Sequence, residues 1–228
     1  MRPVGIRAVI FDMDGLLIDT EPSWRIAMRA VFREVGVEVT DAELINTTGQ
    51  LFADVLADWR LPGGPLHSVT LAVSDEELMA RATDIVVAQV AASGSPMPGV
   101  SAVLARLRDL GLQLAIASSS PPRMIDTVCD RLGLSDIAVR CSGEDELRGK
   151  PAPDLFLTAA AQLGIAPEHC VALEDSPRGV MAAKGAGMWC IAVPDRLLAG
   201  HPGYQAADLV VGSLAELDSD TLDRIFSP

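Results

Sequence analysis

The chain has 228 residues, 49% of them apolar, enough for one full core and a smaller second one. Its formal charge of −13 argues against nucleic-acid backbones and anionic membrane surfaces as partners, since both need a basic patch. No run reaches the roughly 18 consecutive apolar residues of a membrane span, and residues 1–12 lack the pattern of a signal peptide. An anionic ligand would need a local source of positive charge, for which a metal ion is one candidate.

The first predicted element is a buried strand at Ala8–Phe11. From Glu21 to about Met97 only helical patterns occur. Trp24, Ala27, Met28, Val31, Phe32 and Val35 share one apolar helix face. Thr40 with Glu43, and Ser74 with Glu77, have capping-box spacing. The stretch between Arg60 and Ser74 reads as a loop, and Ser93–Gly99 as a hinge. Beyond the hinge, helices at Val100–Leu110, Pro121–Leu132, Pro153–Leu163, Pro177–Ala186 and Leu214–Phe226 are expected. They alternate with strands at Leu112–Ala117, Ala138–Cys141, Cys170–Leu173, Cys190–Val193 and Leu209–Val211. Gly111, Gly133, Gly164 and Gly187 sit where helices should stop.

This alternation implies an α/β fold, a Rossmann-like, doubly wound parallel sheet, into which a helical module is inserted after the first strand. The boundaries are 1–19 and 98–228 for the sheet domain and 20–97 for the module. Sites in such sheets lie beyond the carboxyl ends of the strands. Cys129, Cys141, Cys170 and Cys190 match no zinc or redox spacing and read as buried thiols, suited to a reducing cytoplasm.

Four clusters follow predicted strands. Asp12 and Asp14 should point to one side, and two such close carboxylates call for a cation or a shared proton. Gly15 permits a turn that aims backbone N–H groups at an anion; turn hydrogen bonds alone are the plainer reading. Ser118, Ser119 and Ser120 precede a helix start, where phosphate binds readily. Ser120 reads first as an N-cap, Ser118 as the better ligand. Lys150, ahead of two prolines, can hold its ammonium over a phosphate, although a loop lysine is ordinarily exposed. Glu174 and Asp175 end an apolar strand before a Ser-Pro cap. They suit a hard metal such as magnesium, or simply the helix dipole.

The four motifs in this order, Asp12-Met-Asp14-Gly15, Ser118, Lys150-Pro-Ala-Pro-Asp154 and Glu174-Asp175-Ser176, resemble the haloacid dehalogenase-like hydrolase superfamily over nearly the whole chain. The helical insert resembles that family's small α-helical cap. Within the superfamily the likeness is to the β-phosphoglucomutase-like group. Asp19–Trp24 and Ala172–Ser176 look most like its sugar-phosphate and hexitol-phosphate phosphatases, 2-deoxyglucose-6-phosphate phosphatase included.

The resemblance implies Asp12 as nucleophile, Asp14 as general acid and base, and Lys150, Ser118, Ser119 and the turn at Gly15 around the phosphoryl group. It implies Mg²⁺ held by Asp12, the Asp14 backbone, Asp175 and, nearby, Glu174. Trp24, Gln50, Phe52 and Trp59 are the cap residues expected to read the substrate, with Trp24 otherwise belonging to the cap core. The expected partner is a small phosphorylated metabolite, the default assembly a monomer and the location cytoplasmic.

Three rival readings are a phosphosugar mutase, a dehalogenase, which needs neither magnesium nor Asp14, and a non-catalytic binding protein. The mutases carry a His twelve residues after the nucleophile, where this chain has Trp24, and an Arg in the region that here reads Thr48–Phe52. Arg25, Arg29 and Arg33 form a basic stripe that reads as a solvated face. The three His are assigned no role, and the Met residues read as core filler.

Overall fold

The computed structural model describes residues 5–47 and 50–226. Six parallel strands, β1 (Ala8–Phe11), β2 (Gln113–Ser118), β3 (Val139–Ser142), β4 (Cys170–Glu174), β5 (Trp189–Ala192) and β6 (Leu209–Val210), form one sheet in the order β3-β2-β1-β4-β5-β6. Each lies within a residue or two of its expected position. The order reverses at β1, so the crevice beyond the ends of β1 and β4 is the place where the fold leaves room for a ligand.

Alternate residues of each strand face opposite layers. Val9 and Phe11 of β1, with Val171 and Leu173 of β4, pack into one core; Ala8 and Ile10, with Cys170 and Ala172, pack into the other. Helices α5 (Val100–Asp109), α6 (Pro122–Leu132) and α9 (Ser219–Phe226) cover the first face. Helices α7 (Asp154–Leu163) and α8 (Pro177–Gly185) cover the second. The second layer is rich in Ala and Cys, so its helices can pack closely on the sheet. All four glycines expected to stop helices have left-handed φ, between 67° and 80°. The last helix is shorter than the pattern implied, because Leu214–Glu216 forms a separate 3₁₀ turn before it.

Between β1 and α5 lie α1 (Glu21–Glu34), α2 (Asp41–Ile45), α3 (Phe52–Trp59) and α4 (Asp75–Ser93). The capping box of Thr40 and Glu43 forms, and the Ser74 hydroxyl accepts from the Glu77 N–H. The two connections to the sheet run side by side. Ile18 bridges to Pro96, and the Met97 N–H donates to the Leu17 carbonyl at 3.0 Å. Ala27, Met28, Val31 and Phe32 are buried as the helical face requires, and their core is continuous with that above the sheet. Among the described residues, no helix is long and apolar enough to cross a membrane.

Candidate active site

The Asp12 N–H extends the pairing of β1 by donating to the Leu173 carbonyl at 2.9 Å. This fixes its side chain above the crevice between β1 and β4. Asp12 and Asp14 line the same cavity, as their spacing predicts. Their carboxylates have different partners. Asp14 is held by hydroxyls: Ser118 donates to Oδ2 at 2.9 Å, Ser120 to Oδ2 at 2.8 Å, and Thr20 to Oδ1. The Trp24 indole N–H, on α1, reaches Oδ1 at 3.3 Å. Asp12 meets the Lys150 ammonium at 2.5 Å.

Lys150 is the largest departure from its local reading. It is 1% exposed, clamped between Asp12 and Glu174, each at 2.5 Å. The Arg178 guanidinium donates twice to the Lys150 carbonyl, at 3.0 and 2.7 Å, and so anchors the loop from α8. Burial pulls the lysine's pKa down, but the Asp12 and Glu174 charges outweigh it and hold the ammonium above its ordinary value.

Glu174 reaches Lys150 through Oε1 and accepts from the Ser176 N–H and hydroxyl, both at 3.0 Å, through Oε2. The Ser176 hydroxyl in turn caps α8 by accepting from the Gly179 N–H. A Cβ at Gly179 would fall 1.8 Å from the Glu174 carboxylate, so the helix start must be bare there. Asp175 differs: among the described residues its Oδ2 is buried with no hydrogen bond. Its main chain is anchored instead, by the Tyr204 hydroxyl donating to the Asp175 carbonyl at 2.5 Å.

Three buried carboxylates thus converge. Asp12, Glu174 and Asp175 offer oxygens within 4.8 Å of one another. Burial, and then their mutual repulsion, push Asp12 and Asp175 well above the usual carboxylate range, with Lys150 pulling the other way. One ammonium does not neutralise three carboxylates. An all-oxygen donor set with an orphaned buried oxygen fits Mg²⁺, a hard cation that prefers oxygen ligands. Because both Glu174 oxygens are already engaged, Asp12 and Asp175 are the better direct ligands, with Glu174 behind them.

Several sequence expectations change. Gly15 keeps its own N–H within the turn, donating to the Ile18 carbonyl at 2.8 Å. Its role is close approach: φ is +74°, and a Cβ would sit 2.1 Å from Asp175 Oδ2. Ser120 is not the cap of α6, whose cap position is Pro121 with no side-chain bond; its hydroxyl goes to Asp14. Trp24 is only partly buried and lines the cavity with Gln50 and Phe52. Trp59 does not line it; it is buried against Phe32, ring centroids 5.0 Å apart. Ser119 lines the cavity.

Sequence reasoning missed Thr20, Glu21, Thr47, Val55, Met28 and Met79, all at the site or lining its cavity. Both methionines had read as core filler. The basic stripe is a solvated face: Arg25 pairs with Glu21, Arg29 with Asp41 and Arg33 with Glu38, and none of the three lines the cavity. Thr48 and Gly49 lie outside the described residues. All four cysteines are buried and free, and burial raises the thiols of Cys129, Cys141 and Cys170 to about 11, which leaves them inert.

The family model for haloacid dehalogenase-like hydrolase matches residues 6–187, which contain every motif of the site. The chain belongs to the haloacid dehalogenase-like hydrolase family. Within it, this hydrolase falls in the β-phosphoglucomutase-like group and is a phosphatase-type enzyme. It is 35% identical to hexitol phosphatase B of Escherichia coli K12 over 221 residues, covering 96% of this chain and 98% of that one. It is 29% identical to β-phosphoglucomutase of Bacillus subtilis over 220 residues, covering 95% and 94%. The crystal structure of CbbY from Rhodobacter sphaeroides in complex with phosphate superposes with a TM-score of 0.82 at 29% identity, covering 93% of this hydrolase and 96% of that chain.

Proposed function

We propose that this hydrolase is a magnesium-dependent phosphomonoesterase that acts on a small sugar or sugar-alcohol phosphate, with Asp12 as its nucleophile. The observation that carries this reading is the division of labour between the two aspartates. Asp12 is desolvated, salt-bridged and fixed by the sheet. Asp14, in the same cavity, is bonded only to neutral donors.

In this reading the Asp12 carboxylate attacks phosphorus in line and becomes an acyl phosphate. Asp14 protonates the departing alkoxide, then takes a proton from the water that hydrolyses the acyl phosphate. The Ser118, Ser120 and Thr20 hydroxyls orient Asp14 for both transfers. Lys150, desolvated beside Asp12, stabilises the charge on the transferring group. Asp12 and Asp175 would hold Mg²⁺, which would supply charge neutralisation between the anionic nucleophile and the dianionic ester. The helical segment 20–97 serves as the cap that excludes bulk water and reads the alcohol through Trp24, Gln50 and Phe52.

Substrates with a single phosphate are favoured by the cavity's lining. Among the described residues it contains no Lys, Arg or His to hold a second phosphate. The relatives named hexitol phosphatase and β-phosphoglucomutase bracket the choice, and the lack of a cation in the described lining of the cavity favours the former.

The test supplies β-glucose 1-phosphate with a bisphosphate primer, and separately glucose 6-phosphate, 2-deoxyglucose 6-phosphate and hexitol phosphates. Free phosphate from at least one monophosphate without efficient isomerisation is expected. Rapid conversion of the 1-phosphate to the 6-phosphate with little phosphate released would mean a mutase.

A further inference from the structure

Gln50 and Phe52, at the start of α3, line the catalytic cavity, and Leu51 between them does not. Leu51 is nevertheless buried, and among the described residues it joins neither of the two cores. Its side chain points at two bare places on the sheet domain. A Cβ at Gly143 would fall 2.9 Å from Leu51 Cδ2. A Cβ at Gly149 would fall 2.8 Å from Leu51 Cγ and closer still to Cδ1. Neither approach is open to a residue that carries a side chain.

Both glycines border the phosphoryl end of the site. Gly143 follows β3, where the Ser142 hydroxyl donates to the Ser120 carbonyl at 2.8 Å, and a Cβ on Gly143 would also lie 3.2 Å from Ser119 Cα. Gly149 precedes Lys150, whose segment is fixed by the clamp of Asp12 and Glu174 and by the Arg178 guanidinium. The sheet-domain side of this seat is therefore held in place by the active site itself. What the seat places is the segment that enters it.

We propose that Leu51 is a positioning residue: seated between Gly143 and Gly149, it sets where Gln50 and Phe52 stand relative to the phosphoryl group. The inference rests on the phosphatase reading above, in which those two side chains read the alcohol. Close packing makes the seat sensitive in both directions. Emptying it leaves the segment without its stop, and filling it pushes the segment outward. A misplacement of about 1 Å can cost about a hundredfold in rate.

The experiment compares the kinetics of wild type, Leu51→Ala, Leu51→Met, Gly149→Ala and the double variant Leu51→Ala/Gly149→Ala. The substrate is whichever of glucose 6-phosphate, 2-deoxyglucose 6-phosphate and the hexitol phosphates wild type hydrolyses best. Leu51→Ala and Gly149→Ala should each lower kcat/KM about tenfold to a hundredfold. Leu51→Met refills the seat and should stay within about threefold of wild type. In the double variant the added methyl takes space that the leucine has left, so Gly149→Ala should cost nothing beyond Leu51→Ala. The inhibition constant of inorganic phosphate should not change in Leu51→Ala, because phosphate meets the fixed residues and not the alcohol-reading pair. All rates are taken below the Tm of each protein; should Gly149→Ala not fold, the two Leu51 variants and phosphate inhibition decide alone. Losses that simply add in the double variant, or a single alanine variant as active as wild type, would overturn the positioning role and leave the phosphatase reading standing. So would a Leu51→Met enzyme as impaired as Leu51→Ala, or a phosphate inhibition constant that rises with the loss. No phosphate released by wild type from any ester would remove both.

Discussion

Lys150→Met isolates what the buried ammonium does. Methionine keeps the length of the side chain and its packing beside Phe156, whose ring centroid lies 5.2 Å from the ammonium. The substitution therefore removes charge more than volume. Asp12 and Glu174 are left buried without their shared cation, a situation that costs about 3–5 kcal/mol. For a chain of this size that corresponds to a fall in Tm of about 6–20 °C. The sign of the pH dependence follows from Asp12. Burial raises its pKa, Lys150 opposes that rise, and removing Lys150 moves it further up. A carboxyl group raised in the folded state opposes folding above its unfolded pKa, where its charge must be buried, and no longer does so below it. The Tm deficit should thus be widest near about pH 8 and shrink toward about pH 4. Differential scanning fluorimetry of both proteins across that range, with chelator present, gives the comparison. A variant within about 2 °C of wild type at pH 8 would contradict the reasoning. So would a deficit that does not narrow as the pH falls.

Three further outcomes follow from the same geometry. Asp12→Asn is isosteric and should keep the far-ultraviolet circular dichroism of the wild type while kcat falls by several orders of magnitude; substantial turnover would exclude Asp12 as nucleophile. Saturating magnesium, at about a hundredfold its dissociation constant, should stabilise the wild type by about 2.7 kcal/mol, a rise in Tm of about 5–11 °C. Asp175→Asn should lose most of that rise, and an equal shift in both would place the ion elsewhere. Gly15→Ala must put a Cβ 2.1 Å from Asp175 Oδ2 at a φ of +74°, so a loss of at least about 1–2 kcal/mol is expected, together with weaker magnesium binding by isothermal titration. Wild-type affinity in a stable Gly15→Ala protein would show that the approach of Gly15 to Asp175 does not matter.

How far the sequence could be read depended on how local each cause was. Strand positions in the sheet domain, the helix-stopping glycines and the capping box of Thr40 rest on neighbours a few residues away, and they were legible. The groups Asp12–Gly15, Ser118 and Glu174–Asp175 were legible as candidates because each lies at the end of an apolar strand, and Lys150 because the two prolines after it stiffen its segment. Ser120 was not, since its local signal is that of a cap, while its partner is Asp14, more than a hundred residues earlier. Met28 and Met79 carry an apolar signal that serves a core and a cavity wall equally well. Trp59 shows the reverse: an aromatic in the helical module can equally face a ligand or Phe32, and the packing of α1 against α3 chose Phe32.

The sequence by itself determined the doubly wound sheet and the carboxylates at its strand ends, because both are written in short-range periodicity and in turn chemistry. The tertiary structure decided which of those groups share a cation or a cavity. Lys150 meets Asp12 only because β1 and β4 are neighbours and Arg178 holds the intervening loop over them. Asp175 keeps an unpartnered buried oxygen, and the bare Gly15 turn passes close beside it. These pairings are between residues far apart in the chain, and only the packing of the elements brings their charges within reach of one another.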